Sequence, residues 1–587
     1  MVPLIGFIPV RCKLTFSLNF GFFKYVITIL KREFIKNECM VQGNLQNCFD
    51  FDCISLLEGD ELSLQHTISI CFLCFILLFI FFVRPSNAWH HTTISDSKPF
   101  HKIVIWVTLI AAVLAAVLPM SLSPYWNGTI VGNVKQQEYR NGTLVYIIVY
   151  NADKQQYDRL GDALLNGHLY IDNVSIDPAL EKMENPYDAV LREKLGVKFN
   201  WDEAYYNHHY YMYFGPVPTL LLFIPFKLLT GTALLTYQAT QVFAGLSIFG
   251  LFYLFYILAI NFFKKLPFSV YLVLSSAFSI LSIGYSIAAP ALYCTAIVSA
   301  VCLMIWSIIF FIKGAWLSQD EKLSKIYLFA GGLLGALAFG CRPPVALANL
   351  LVLSVIAQIV KKQNAGHYDK TKKLVLLLLP YFFVGIMLML YNYARFDNAF
   401  EFGQSYQLTV TDQHNYGSFM ERFNIKELLI GVIVSFYVIC PLSAQFPFVF
   451  FNGAFINFPI LLFSAKILSK DVSEYLAKRE LKAFAVLLFV LPFIISLFDT
   501  YWAPFLLERY RLDFYYLLCI VSFIAIGTLL EIVSEKKKKI LLCSIIILSF
   551  AVFAIEFLFF CIPVDGSYTY YCPEVLDDIY QGLRFGL

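Results

Sequence analysis

The chain has 587 residues, 59% of them hydrophobic and 14% charged, with a net charge of +3. An average soluble chain is about 25% charged, so a water-soluble globular class is excluded, and the small net charge gives no footing for nucleic-acid binding. Apolar runs of about 20 residues, the length that crosses a bilayer, recur from Ile103 onward. Lipid leaves no water for unpaired backbone groups, so such runs are expected to be helices. An outer-membrane barrel would show alternating segments of about ten residues instead. The fold class read here is an all-α polytopic membrane protein.

Residues 1–100 read as an N-terminal extension with one or two membrane segments. Leu14–Leu30 is apolar but interrupted by Asn19 and Lys24. It fits a weak span, an interfacial helix or an extension upstream of the true start, and no small-residue cleavage site marks a signal peptide. Ile68–Val83 reads as a short span, and residues 85–101 (PSNAWHHTTISDSKPFH) as a polar connector.

The core domain, residues 101–562, opens with a span over Ile103–Leu122. A large first loop follows, residues 123–232, too long for an ordinary connector; loops of that length usually carry function. Three Asn-x-Ser/Thr triplets begin at Asn127, Asn141 and Asn173. VYIIVYN (145–151) predicts a short strand. QQYDRLGDALLNG (155–167) predicts an amphipathic helix closed by Gly167. The Tyr-rich stretch WDEAYYNHHYYMYF follows, where Tyr suits a membrane interface. FGPVPTLLLFIPFKLLTG carries Pro216, Pro218, Pro225 and Lys227 and predicts a kinked interfacial segment.

Further spans are expected at Ala233–Phe263, Phe268–Leu281, Tyr293–Ile312, Ile326–Gly340, Val345–Val360, Leu374–Leu390, Phe450–Leu468, Ala483–Phe498, Phe514–Ile532 and Ile540–Phe560. If each crosses once, Lys264, Lys265, Lys313–Lys325, Lys361–Lys373, Lys470–Lys482 and Lys536–Lys539 share one side. The positive-inside rule makes that side cytoplasmic. The loop 123–232, the turn Cys341–Pro344, Tyr391–Phe448, Asp499–Asp513 and the tail 563–587 then lie on the exoplasmic side. Cys71, Cys74, Cys294, Cys302, Cys440, Cys519 and Cys543, half of the 14 cysteines, sit in apolar runs as small hydrophobes, while Cys561 and Cys572 form a candidate pair near the exoplasmic tail.

The exoplasmic set gathers the ionisable residues that could carry chemistry. Asp153, Asp158, Asp162, Asp202, Glu203, His208 and His209 come from the first loop, Arg342 from CRPP, Arg395 and Asp397 from NYARFDNAFEFG, and Arg509, Arg511 and Asp513 from ERYRLD. Carboxylates can deprotonate an acceptor hydroxyl, and arginines can clamp a phosphate in two-point contacts. Each residue also has an ordinary use: solvated loop acid, interfacial or packing histidine, snorkelling Arg342, ion-pair cap at RYRLD.

Asp153-x-x-x-Tyr157, the helix LGDALLNG, the Tyr-rich segment ending in Pro216-x-Pro218, and Glu508-Arg509-Tyr510-Arg511-Leu512 together resemble the GT-C class of integral-membrane glycosyltransferases. In pattern they are most similar to the lipid A aminoarabinose transferases and protein O-mannosyltransferases. The resemblance spans roughly residues 100–560. It implies a GT-C-like bundle of about 11–13 transmembrane helices with short helices in the first exoplasmic loop. It also implies a polyprenyl-phosphate sugar donor, a lipid, glycan or protein acceptor, no metal or other cofactor, and an active site on the periplasmic face of a bacterial inner membrane. Carried over by position, Asp153 is the base candidate, Tyr157 shapes the site and Arg509 holds phosphate; Arg342, Arg395, Tyr510 and Asp513, on the same side, are further candidate substrate contacts, although Asp513 stands where the mannosyltransferase-like pattern often has Pro. Asp153 is followed by Lys154 where the pattern has a second acid, so Asp162 and the pair Asp202-Glu203 remain alternatives for the base. A multi-pass transporter or flippase of a lipid-linked or small solute is the competing reading; no repeat between the halves is evident.

Overall fold

A computed structural model describes residues 64–584 except 123–133, 141–142, 150–154, 173, 291, 362–365, 416–422, 504–506, 565–566 and 572. Ten helices among the described residues are long and apolar enough to cross a membrane. The chain is thus an all-α, multi-pass integral membrane protein, as composition predicts. It divides into two units.

The smaller unit contains Met1–Arg84, Ala444–Phe448 and Cys572–Leu587. Its described part pairs the apolar helix Leu64–Val83 with the helix Glu574–Leu583. Ser69 Oγ donates to the Gly582 carbonyl at 2.6 Å, and Gln65 Nε2 donates to Asp578 at 3.0 Å.

The larger unit, Pro85–Ser443 and Val449–Tyr571, holds the other nine candidate spans. They are Pro99–Met120, Thr236–Phe262, Leu292–Leu317, Glu321–Phe339, Pro343–Lys361, His367–Phe396, Lys482–Trp502, Glu508–Ile532 and Glu535–Phe560. Two expected crossings differ. Phe268–Leu281 is a helix of only 14 residues. The expected span Phe450–Leu468 is broken: Ala454–Asn457 forms one α-turn, and Pro459–Leu468 is a tight 3-10 helix. Pro459 has no N–H to continue the α-turn ladder of the preceding residues.

Helices Leu292–Ile312 and Leu512–Ile532 are buried along nearly their whole length and form the centre of the unit. Peripheral helices keep large apolar side chains outward, including Phe382 and Phe383, as lipid-facing surfaces do. Small residues set the closest approaches: a Cβ on Gly332 would overlap the Leu377 carbonyl of the neighbouring helix.

The first loop carries short elements of its own. The expected helix is seen as Gln156–Leu165, with Gly167 at φ +82° just beyond it, and the expected strand is seen as Thr143–Val149, paired antiparallel with Val134–Arg140. The three Asn triplets have their Asn residues outside the described residues. The Tyr-rich stretch, whose aromatics read as an interfacial belt or a sugar-stacking platform, is a hairpin: Glu203–Tyr206 pairs antiparallel with His209–Met212. Its two turn residues, Asn207 and His208, both have positive φ, the geometry of a two-residue hairpin turn that follows the strand twist. A distant segment lines this hairpin: the Asp202 amide donates to Leu408 O and the Tyr205 amide to Tyr406 O. The interfacial segment folds as a π-helical turn, Thr219–Phe223, running into the helix Ile224–Thr230.

Candidate functional site

Trp201 and Asp202 form the turn that precedes the hairpin, and Asp202 has φ +56°. A non-glycine residue in that region is strained, and such strain collects at functional positions. The Asp202 carboxylate is 6% exposed. It accepts from the phenol of Tyr293, the second residue of helix Leu292–Ile312, and from Gln407 Nε2 at 2.9 Å. Burial raises the Asp202 carboxyl above the usual aspartate range, although the Tyr293 bond, the charge of Arg509 and the Gln407 bond all oppose it.

Arg509 is carried by the 3-10 turn Glu508–Arg511 that starts helix Leu512–Ile532. Its guanidinium stands 4.0 Å from the centroid of the Tyr293 ring and 5.6 Å from that of Tyr510. Among the described residues it makes no ion pair. Arg342 also lies over the Tyr510 ring, its guanidinium 5.0 Å from the centroid. Arg342 is placed by the tight turn between helices Glu321–Phe339 and Pro343–Ala346, where Pro343 starts the second helix.

Arg342 grips Asp513 with two nitrogens: Nε at 2.8 and 3.0 Å from the two carboxylate oxygens and Nη2 at 2.8 Å. Asp513 is wholly buried, and its charge acts on the buried Asp499 carboxyl of helix Lys482–Trp502. Tyr213 closes the group: Arg342, Tyr510 and Asp202 all act on it electrostatically, and burial, opposed by Arg342, pushes its phenol up to about 12.

Five residues singled out from the sequence therefore converge: Asp202, Arg342, Arg509, Tyr510 and Asp513. The rest do not. Asp162 is 2.6 Å from Lys227 Nζ, which also holds Asp158 at 2.9 Å, and so ties its helix to the interfacial segment. Glu203 is fully buried between Arg159 at 2.8 Å and Asn200 at 2.7 Å. Tyr157 stacks on Phe223, and its carbonyl accepts from Thr219. Arg395 donates to the Met212 carbonyl at 2.9 Å and to Asn392 at 2.8 Å, so it braces the hairpin from the helix behind it. Asp153 lies outside the described residues. The candidate pair Cys561 and Cys572 is likewise not described, because the side chain of Cys572 is outside them.

Sequence reading missed Tyr293, Gln407, Asp499 and Tyr213 as members of the group. Asp499 had a usable signal, an acid at the end of an apolar run. Tyr293 was one tyrosine among 36, and Gln407 reaches the site only because its segment runs along the hairpin. The sequence matches no model of a known protein family and no curated protein.

Proposed function

We propose that the protein is an integral-membrane glycosyltransferase that moves a sugar from a polyprenyl-phosphate donor to a hydroxyl-bearing lipid, glycan or protein acceptor. The observation that carries this reading is the setting of Arg509: among the described residues no carboxylate stands within ion-pair distance of it, and it lies over the Tyr293 ring with its charge acting on the Asp202 carboxylate. A guanidinium so placed suits a phosphate monoanion, and a buried carboxylate with a raised pKa suits a general base. The GT-C resemblance of the sequence motifs supports the same reading, and with it a location in a bacterial inner membrane with the site on the periplasmic side.

In this reaction Asp202 takes the proton of the acceptor hydroxyl as its oxygen bonds to the anomeric carbon from the face opposite the phosphate. The bond from that carbon to the phosphate oxygen breaks, its electron pair leaves with the polyprenyl phosphate, and the anomeric centre inverts. Arg509 holds the phosphate as charge grows on it. Tyr293 orients Asp202, and the Arg342–Asp513 pair fixes Tyr510 against Arg509.

The test is incubation of the purified protein with radiolabelled polyprenyl-phosphate sugars and a panel of acceptors. Transfer that releases polyprenyl phosphate supports the reading. Absence of transfer across the panel, together with solute uptake into proteoliposomes, would replace it with transport.

A further inference from the structure

Tyr293 and Lys313 mark opposite ends of one helical stretch, Leu292–Leu317. At 1.5 Å per residue they are roughly 30 Å apart, about one hydrocarbon thickness. The Lys313 end has its own cavity, of about 430 Å³, between the ends of helices Thr236–Phe262, Leu292–Ile312 and Glu321–Phe339. That volume falls in the range of small-molecule sites.

Tyr253, Asn261, Lys313, Ser318, Gln319, Asp320 and Tyr327 supply its polar lining. Lys313 Nζ donates to the Tyr253 phenol at 3.3 Å and stands 4.6 Å from the centroid of the Tyr327 ring. Among the described residues no carboxylate pairs with it. Asp320, the acid nearest in sequence, is committed elsewhere: its carboxylate caps the next helix, accepting from the Lys322 and Leu323 amides at 2.8 and 3.2 Å. Lys313 also begins a π-helical turn, Lys313–Leu317, an irregularity that often marks functional positions. A cation at the end of a membrane helix, held by phenols and lacking a counter-charge, invites an anion.

We infer that this cavity binds the phosphate headgroup of an anionic phospholipid. The ammonium and the Tyr253 and Tyr327 hydroxyls hold the phosphate, while Ile257, Leu317 and Leu323 give the acyl chains an apolar exit. Basic pockets between membrane helices take lipid phosphates in this way. A lipid is the occupant because the cavity opens among the ends of membrane helices, and its lining sets one cation and two phenols beside apolar side chains, its single acid, Asp320, being held as the cap of the next helix.

The full-length protein in neutral detergent is heated with phosphatidylglycerol, phosphatidylcholine or inorganic phosphate. Phosphatidylglycerol is expected to raise Tm saturably, on the order of 2–4 °C, as a ligand of the native state does; phosphatidylcholine and phosphate are expected to leave it unchanged. Lys313→Met should abolish the shift and Lys313→Arg should keep it. Should Lys313→Met fail to fold, Asn261→Leu, which narrows the cavity without removing the charge, should reduce the shift. Equal shifts with both lipids, a full shift with phosphate alone, or a full shift in Lys313→Met (or in Asn261→Leu) would overturn the inference.

Discussion

The phenol of Tyr293 donates to the carboxylate of Asp202, joining the start of a central membrane helix to the turn before the loop hairpin. That bond singles out Asp202 among the described candidate acids. Asp202→Asn should lower sugar transfer by about 10²–10⁴-fold, the usual worth of a general base, with little change in donor affinity. Tyr293→Phe keeps the ring under Arg509 and loses only the orienting bond, so a smaller loss is expected, on the order of tenfold. Single-turnover transfer with saturating donor separates the two. Near-normal turnover in Asp202→Asn, with loss in Asp153→Asn, would return the role to Asp153.

Asp162 makes a contrasting prediction. Asp162 is 52% exposed, and its partner Lys227 keeps Asp158 at 2.9 Å as a second carboxylate, so losing the Asp162 charge costs less than about 1 kcal/mol. Asp162→Asn should leave transfer within a few-fold of wild type and shift thermal unfolding only slightly. A loss matching that of Asp202→Asn would show that the helix Gln156–Leu165 faces substrate.

The distribution of these roles explains what was legible in the sequence. Apolar runs announce membrane helices because lipid allows few alternatives, so most spans were readable to within a few residues. The break in Phe450–Leu468 was hidden because 3-10 and α segments share the same apolar composition. Charge alone could not sort the acids. Asp162, Asp202 and Glu203 look alike as letters, and only their partners, Lys227, Tyr293 with Gln407, and Arg159, tell them apart. Those partners are 44 to 205 residues away, set by tertiary packing and by no local spacing; only Glu203 also has a neighbour close in sequence, Asn200.

Arg342 and Asp513 are a buried pair, at 12% and 0% side-chain exposure. Removing one partner strands the other charge, which typically costs about 3–5 kcal/mol. Arg342→Ala should therefore lower the thermal stability of the detergent-solubilised protein strongly. Arg342→Lys, which keeps the charge but not the two-point grip, should fall between it and wild type. A double Arg342→Met, Asp513→Leu variant should recover much of the stability while leaving Tyr510 without its second cation. Unfolding curves of the four proteins check this order.

Gly215, in the FGPVP segment, lies against the backbone of Gly340. A Cβ there would overlap the Gly340 carbonyl, and the adjacent Val217 amide donates to that same oxygen at 3.1 Å. Backbone cannot swing aside as a side-chain tip can. Gly215→Ala is expected to destabilise by about 1–3 kcal/mol, as overpacking does, and to displace Arg342 two residues beyond Gly340. The readouts are thermal unfolding and transfer; unchanged values in both would mean that the segment yields without strain.

Asp202 also fixes a pH dependence in which stability and activity run in opposite directions. Burial raises its folded-state pKa above the unfolded value of about 3.9. Its contribution to stability is therefore fully present below that unfolded value and is lost as the pH rises through the raised folded pKa, because the folded chain must then carry a desolvated charge. Transfer needs the ionised carboxylate, so the rate should rise across the same interval. Asp202→Asn removes the titration and should flatten this part of both profiles. Unfolding and single-turnover transfer, measured for wild type and Asp202→Asn from acid to mildly alkaline pH, check the opposed slopes. A wild-type rate that already sits on its plateau at the acid end would place the ionising base elsewhere.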